Sequence, residues 1–182
     1  YVAGADPAGG NPQSDDSALT VLDAQSGDEV ASLAGRFEPS VFAAYVDEVC
    51  AYFGAAILVE RNNHGHAVLQ WLRDNGRTQI LLGLDGKPGW LTNSRGKALM
   101  YAHAADLIRD GQTRVRTPAT LTQLASIEGS TLSAPAGMLD DLATSYVLAL
   151  TAIALQLHGT GESTVIPPED PLDDEDFDTG GW

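Results

Sequence analysis

Ala55-Ala56-Ile57-Leu58-Val59-Glu60 is an unbroken apolar run closed by a carboxylate, and its reading decides the fold. A strand with one wet face would alternate polar and apolar residues. A continuous run suits a central strand covered on both faces, a setting in which a parallel neighbour is common. Immediately upstream, Pro39 opens a helix that runs to about Phe53, with Val41, Phe42, Tyr45, Val46, Val49 and Phe53 on one stripe; Gly54 ends it. Before that helix come three short extended segments, Tyr1–Asp6, Ser17–Leu22 and Glu29–Leu33. The polar loop Pro7–Ser14 and the turn Asp23–Gly27 separate them, so three antiparallel strands follow. Downstream, His66–Asp74 reads as a helix, Gln79–Leu84 as a further strand, and Lys97–Asp110 as an amphipathic helix stopping at Gly111. Thr120–Ile127 reads as a short helix or extended segment. Asp140 to about His158 gives the strongest helical pattern, with Leu142, Tyr146, Ala149, Leu150, Ile153 and Leu157 in register. The predicted class is α/β: a mixed sheet of three antiparallel strands followed by parallel strands, with helices on both faces.

A chain of 182 residues, 43% apolar, is long enough for one domain with a substantial core and too short for two ordinary ones. The folded domain is expected over 1–160. Residues 161–182 carry eight acidic residues, no basic ones and three of the prolines; an acidic, disordered C-terminal tail is expected there. The net charge of −15 therefore divides, leaving about −7 for the body. An acidic body disfavours unaided binding to a polyanion, because phosphate contacts supply most non-specific affinity. A site that collects divalent cations must itself be acidic, however, and bound metal inverts the local potential. No apolar stretch is long enough for a membrane-spanning helix, and the first ten residues lack the pattern of a signal peptide. The single cysteine, Cys50, excludes an internal disulfide or a cysteine-rich zinc site; it reads as a buried small side chain, compatible with a reducing cytoplasm.

Three acidic positions share an unusual placement. Asp6 ends the first strand, Glu60 ends the buried strand, and the Asp140–Asp141 pair opens the last helix. Strand ends are where distant parts of an open sheet converge on a site. Carboxylates there suit a hard divalent cation, and two such ions roughly 3.5–4 Å apart can align the attacking and leaving oxygens of a phosphodiester. Each residue also has a plainer reading. Asp6 before Pro7 is a common turn starter, and Asp140 and Asp141 suit the first turn of a helix. Glu60 needs a partner or a metal, which leaves Arg61 and Arg73 as candidate ion-pair partners.

Gly4-Ala-Asp-Pro-Ala8, followed by Asp15-Asp-Ser-Ala-Leu-Thr20, resembles the first motif of the nuclease domain of bacteriophage large terminases. Val59-Glu-Arg-Asn-Asn-His-Gly-His66 is similar to its second motif and is the most specific string in the chain. Gly89-Trp-Leu-Thr-Asn93 with Arg95 resembles a segment that follows, and Asp140-Asp-Leu-Ala-Thr-Ser-Tyr-Val-Leu-Ala149 resembles the closing motif. The order agrees across about 1–160. The resemblance implies an RNase H-like fold in which Asp6, Glu60 and one or both of Asp140 and Asp141 hold two magnesium or manganese ions. It implies hydrolysis of double-stranded, concatemeric DNA during viral genome packaging, in the host cytoplasm. The partners it implies are a packaging ATPase domain, the small terminase subunit and the portal. Many members carry Asp where this chain has Glu60, and either binds metal. The chain has no Gly-x-x-x-x-Gly-Lys-Ser/Thr loop; beginning at Tyr1 without Met, it is expected to be a C-terminal fragment lacking the motor. Two other readings stay open: a non-cutting module that docks DNA or portal, and another RNase H-like enzyme such as a junction resolvase or transposase core.

Secondary candidates surround these positions. His64 and His66 flank Gly65 and suit either proton transfer or a structural role. Asn62 and Asn63 suit the turn before the next helix or a DNA contact. Lys87, Arg95, Lys97, Arg114 and Arg116 form the one basic grouping of note, as backbone contacts or as scattered solvated charge. Trp71 and Trp90 read as core. Asp15 and Asp16 read as organisers of their loop, with Asp16 the one able to reach the site.

Overall fold

The computed structural model describes residues 1–158; the acidic segment 161–182 lies outside the described residues. Four strands form one sheet in the order β3-β2-β1-β4, from β1 (Val2–Asp6), β2 (Ser17–Leu22), β3 (Glu29–Gly35) and β4 (Ala56–Val59). The first three pair antiparallel, and β4 lies parallel to β1. The helix α1 (Pro39–Phe53) makes the crossover between β3 and β4, followed by α2 (Gly65–Asn75), α3 (Ser94–Arg109), α4 (Pro118–Ser126) and α5 (Asp141–His158).

The continuous apolar run does become a strand buried on both sides: Ala56, Ile57, Leu58 and Val59 all have 5% exposure or less. Strand parity divides the core in two. Ala3, Ala5, Leu19, Val21, Ile57 and Val59 face α1 and α2, packing on Phe42, Val46, Val68 and Leu72. Val2, Leu22 and Leu58 face the other way, into the layer holding Met100, Tyr101 and the Tyr146–Leu150 stretch of α5. Helices therefore cover both faces of a mixed sheet, as the pattern predicts.

Two glycines set the approach of the helices to the site strands. A Cβ on Gly4 would lie 2.3 Å from both the Ala149 amide nitrogen and the Ser145 carbonyl oxygen, so only glycine lets α5 lie directly on β1. The Thr20 and Ser145 hydroxyls then meet at 2.9 Å in the buried seam. A Cβ on Gly65 would fall 1.7 Å from the Glu60 carbonyl oxygen. Glycine there lets α2 begin against the end of β4.

One expected strand is not continuous. Ile80 and Leu82 make only isolated bridges, with Ile57 bonded to Gln79 and Leu81 through backbone hydrogen bonds of 2.9 and 2.8 Å. Past this contact the segment folds back on itself, with Gly83 donating to the Lys87 carbonyl, and Trp90 takes the place beside Val59 and Glu60. Gly83, Gly86 and Gly89 interrupt the stretch, which breaks the ladder that Gln79–Leu84 would have extended. Cys50 is fully buried as expected, and burial pushes its thiol up to about 12, so it is not a reactive thiol. Among the described residues no helix is long and apolar enough to cross a membrane.

Candidate active site at the ends of two parallel strands

β1 and β4 run parallel in register, Ala5 opposite Val59, and the Glu60 amide donates to the Ala5 carbonyl at 2.8 Å. Asp6 and Glu60 are thus neighbours at the C-terminal ends of adjacent strands. Parity puts both on the face covered by α5, since Ala5 and Val59 point to the other. Gly4 holds α5 against that face, and Asp141, its first residue, reaches the same place with Asp140 just before it. The four carboxylates, drawn from three elements, line one open pocket of about 440 Å³.

Their electrostatics follow from this crowding. Burial, and then the hydrogen-bonding proximity and charge of Glu60, raise the Asp6 carboxyl well above the ordinary range; Asp141 and Asp140 add to the effect. Burial pushes Asp141 up to about 7, helped by the charges of Asp15 and Asp140. Among the described residues none of the four forms an ion pair. The Asp141 Oδ2 oxygen is buried without a hydrogen-bond partner among the described residues. Nor do the acids close on one point: among the described residues no three His, Cys, Asp or Glu side chains make a preformed metal cluster.

The plainer readings of these residues can be tested one by one. Arg61, the nearest candidate partner for Glu60, is buried and turns instead to Asp85, with contacts of 2.5 and 3.3 Å. Arg73 hydrogen-bonds Gln70. Neither neutralises Glu60. Capping of α5 falls to a different residue: Gln123 Oε1, on α4, accepts from the Leu142 and Ala143 amides at 2.7 and 3.2 Å. The Asp140 carboxylate ties down the preceding loop, accepting from the Ala134 amide at 3.1 Å. The acids of the closing motif are therefore released from helix capping, and one of them has a free oxygen.

The secondary candidates separate. His64 lines the pocket, whereas exposed His66 is not among its lining residues. Asn62 and Asn63 line it too; Asn62 donates to the Thr92 carbonyl at 2.6 Å, and Asn63 adopts a left-handed φ of 45° in the turn. Trp90 is core, at 4% exposure, and Trp71 packs partly buried against the α1–α2 layer. Of the acid pair after the first loop, both expected to organise that loop, Asp15 lines the pocket and Asp16 faces Arg36 at 3.7 Å. The basic grouping also divides. Lys97 enters the pocket, Lys87 and Arg95 are exposed, and Arg114 and Arg116 pair with Asp28 at the opposite end of the sheet. Gln123 and Asp15 are the residues that sequence reasoning missed as contributors. Nothing local marks Gln123, which lies 19 residues from the amide it caps.

No family model matches this chain, and no curated protein is found similar to it. Solved structures are. The large terminase nuclease from thermophilic phage G20c with bound magnesium is 22% identical, with a TM-score of 0.68, over 83% of this chain and 80% of that one. The same nuclease with bound cobalt gives a TM-score of 0.69 at 22% identity, over 83% and 80%. The Thermus phage P74-26 large terminase nuclease domain is 23% identical, with a TM-score of 0.63, over 82% and 77%. At this identity the likeness establishes the fold, and the fold is the RNase H-like one that the motifs implied.

Proposed function

We propose that the pocket at the ends of β1 and β4 is the cutting centre of a metal-dependent endonuclease, the nuclease domain of a viral DNA-packaging terminase. Its substrate is double-stranded, concatemeric DNA, and its reaction is phosphodiester hydrolysis. The observation that carries this reading is the convergence of Asp6, Glu60, Asp140 and Asp141 in one pocket without a cationic partner among the described residues.

The donor set fits a pair of divalent cations, magnesium or manganese. All donors are hard oxygens, one of them is buried and unpartnered among the described residues, and burial together with the neighbouring acids raises the Asp6 and Asp141 carboxyls, a penalty on their charged forms that a bound cation would offset. Asp6, Glu60 and Asp141, with Asp140 beside them, would hold the ions. When bound, these would supply Lewis-acid activation of water and charge neutralisation at phosphorus. The chain's own contribution is placement. Gly4 and Gly65 fix the strand ends against α5 and α2, Gln123 and the Ala134 amide position the closing acids, and Asp15 adds a fifth carboxylate at the rim. Solved nucleases of the same fold with bound magnesium and cobalt support the reading. With a net charge near −7 over its first 161 residues, the domain would depend on a motor domain, small terminase subunit or portal to hold DNA, acting in the host cytoplasm.

The test is nicking of supercoiled plasmid across a manganese titration, with the native chain beside Asp6→Asn. Metal-dependent nicking that EDTA abolishes, and that Asp6→Asn lowers by about 10²–10³-fold or more, is the expected result. Undiminished cutting by Asp6→Asn would remove the pocket from the mechanism. DNA binding without cutting at any metal concentration would favour a docking module, and cutting restricted to branched junctions would favour a resolvase.

A further inference from the structure

Among the described residues lining the acidic pocket, Lys97 is the only lysine or arginine, and the placement of the carboxylates gives it no task. It sits in the first turn of α3, half-buried. An ammonium in a pocket with five carboxylates, those of Asp6, Asp15, Glu60, Asp140 and Asp141, would be expected to collapse onto one of them, since opposite charges a few ångströms apart attract by several kcal/mol at about ε = 20. It does not. Among the described residues Lys97 forms no ion pair. Its Nζ donates to the Ser133 hydroxyl at 2.6 Å and lies 6.0 Å from the centre of the Tyr101 ring. That ring is itself fixed by the contact of its hydroxyl with Thr144 Oγ1 at 3.3 Å, one turn into α5 from the closing acids. A neutral hydroxyl and an aromatic face thus hold the cation inside the pocket, apart from the carboxylates.

We propose that Lys97 is a further catalytic residue, whose ammonium donates a hydrogen bond to a non-bridging oxygen of the scissile phosphodiester and stabilises the charge that builds there in the transition state. This inference rests on the nuclease reading above. In the step concerned, a water oxygen bonds to phosphorus and one phosphorus–ester oxygen bond breaks. The leaving oxygen takes up a proton in exchange for the one the water gives up. Lys97 keeps its proton throughout, and nothing is oxidised or reduced. Because the lysine is parked on Ser133 and Tyr101, it need not be stripped from a carboxylate before substrate or metal enters.

The experiment measures steady-state nicking by the 182-residue chain in manganese, comparing wild type with Lys97→Met, Lys97→Arg and Arg109→Ala. Methionine keeps much of the unbranched stem over Tyr101 and deletes the charge. Arg109 lies at the far end of the same helix, paired with Asp106 and Asp110, and serves as the control. Lys97→Met is expected to lower kcat by about 10²-fold with KM changed less than about threefold. Lys97→Arg is expected to restore part of kcat, and the manganese concentration for half-maximal rate should stay where it was, since Lys97 is not a metal ligand. Arg109→Ala should match wild type. If Lys97→Met cuts within about twofold of wild type, the assignment is overturned while the nuclease reading stands. A shift in metal requirement, or a loss confined to KM, also overturns it by making Lys97 a structural support. If the wild-type chain cuts nothing in any divalent metal, the nuclease reading fails and takes this assignment with it.

Discussion

At the end of the sheet where β2 turns into β3, Glu29 is 4% exposed, and three donors match its carboxylate. The Arg116 and Thr117 amides donate to its Oε2 at 2.7 and 2.9 Å, and the Thr120 hydroxyl to its Oε1 at 3.2 Å. Asp28 beside it takes the Arg116 guanidinium at 2.5 Å. At the other end, where β1 and β4 finish, Asp141 is 6% exposed and keeps an oxygen unpartnered among the described residues, and Asp6 and Glu60 lie side by side, neither of them in an ion pair with a described residue. Both ends bury acid, with opposite outcomes. A fold that needs a buried carboxylate for its own stability surrounds it with donors. A pocket that gathers acids and leaves them unmatched stores a cost that something from outside must offset, and that is the physical signature of a binding site.

The largest effect expected from this contrast is in the pH dependence of stability without divalent metal. Asp141 has its carboxyl pushed up to about 7 in the folded state, so the folded chain holds that proton more tightly than the unfolded one. Its contribution is fully present below the ordinary carboxylate range and is lost as pH rises from about 4 to about 7, by at most about 4 kcal/mol. Asp47 behaves oppositely. Burial pushes its carboxyl up, but hydrogen bonds from the Thr78 hydroxyl and the Arg77 amide and guanidinium outweigh that and hold it below the usual range. Its contribution is present at neutral pH and is lost as pH falls through that depressed value. Urea unfolding in EDTA should therefore show a stability maximum near about pH 4–5, and saturating manganese should flatten the loss toward neutrality. An EDTA profile level between pH 4 and 8 would contradict the account of the pocket.

Next in size is the loss of Glu29. Glu29→Ala strands two amides and a hydroxyl, and is expected to cost about 3 kcal/mol, read as a lower urea midpoint with an unchanged slope. A cost below about 1 kcal/mol would mean that this end is not the structural one. Removing an acid at the pocket should do the reverse. Asp6→Asn relieves repulsion with Glu60, Asp140 and Asp141, and in EDTA it is expected to raise the melting temperature by a few degrees, about 1–2 kcal/mol. A variant that lost both cutting and stability would place Asp6 with Glu29 among the structural acids.

How much of this contrast is legible in the chain depends on the range of the contacts involved. The run Ala55–Glu60 announces its strand and its terminal acid because burial on both faces removes the alternation, a purely local signal. The Gly4 and Gly65 positions could be quoted as parts of motifs, but the reason for them, the backbone of α5 and the Glu60 carbonyl lying where a Cβ would be, appears only in three dimensions. Gln79–Leu84 carries strand-forming residues, and its interruption follows from Gly83 within it, from Gly86 and Gly89 in the fold-back that follows, and from competition with Trp90 for the edge of β4. The basic residues Lys97, Arg114 and Arg116 are close in sequence and read as one group, yet the sheet separates them by its full length. Asp140 and Asp141 could not be told from ordinary helix caps, because what frees them is a side chain on another helix.

That side chain supplies the smallest effect and the finest discrimination between the two ends. Gln123 Oε1 satisfies two amides at the start of α5, a task that an acidic residue in the first turn would otherwise share. Gln123→Ala is expected to cost about 1 kcal/mol, the usual range for a lost cap. The vacated amides then need other acceptors, and the Asp140 and Asp141 carboxylates stand at the same helix start. If those acids serve metal, their diversion to capping should raise the manganese concentration needed for half-maximal nicking while the protein stays folded. Gln123→Glu, which keeps an acceptor and adds charge at the helix N-terminus, should restore the cap. A Gln123→Ala variant that lost stability with an unaltered metal requirement would show that α5 presents its acids independently of its cap, and the division of labour between Gln123 and the Asp pair would have to be abandoned.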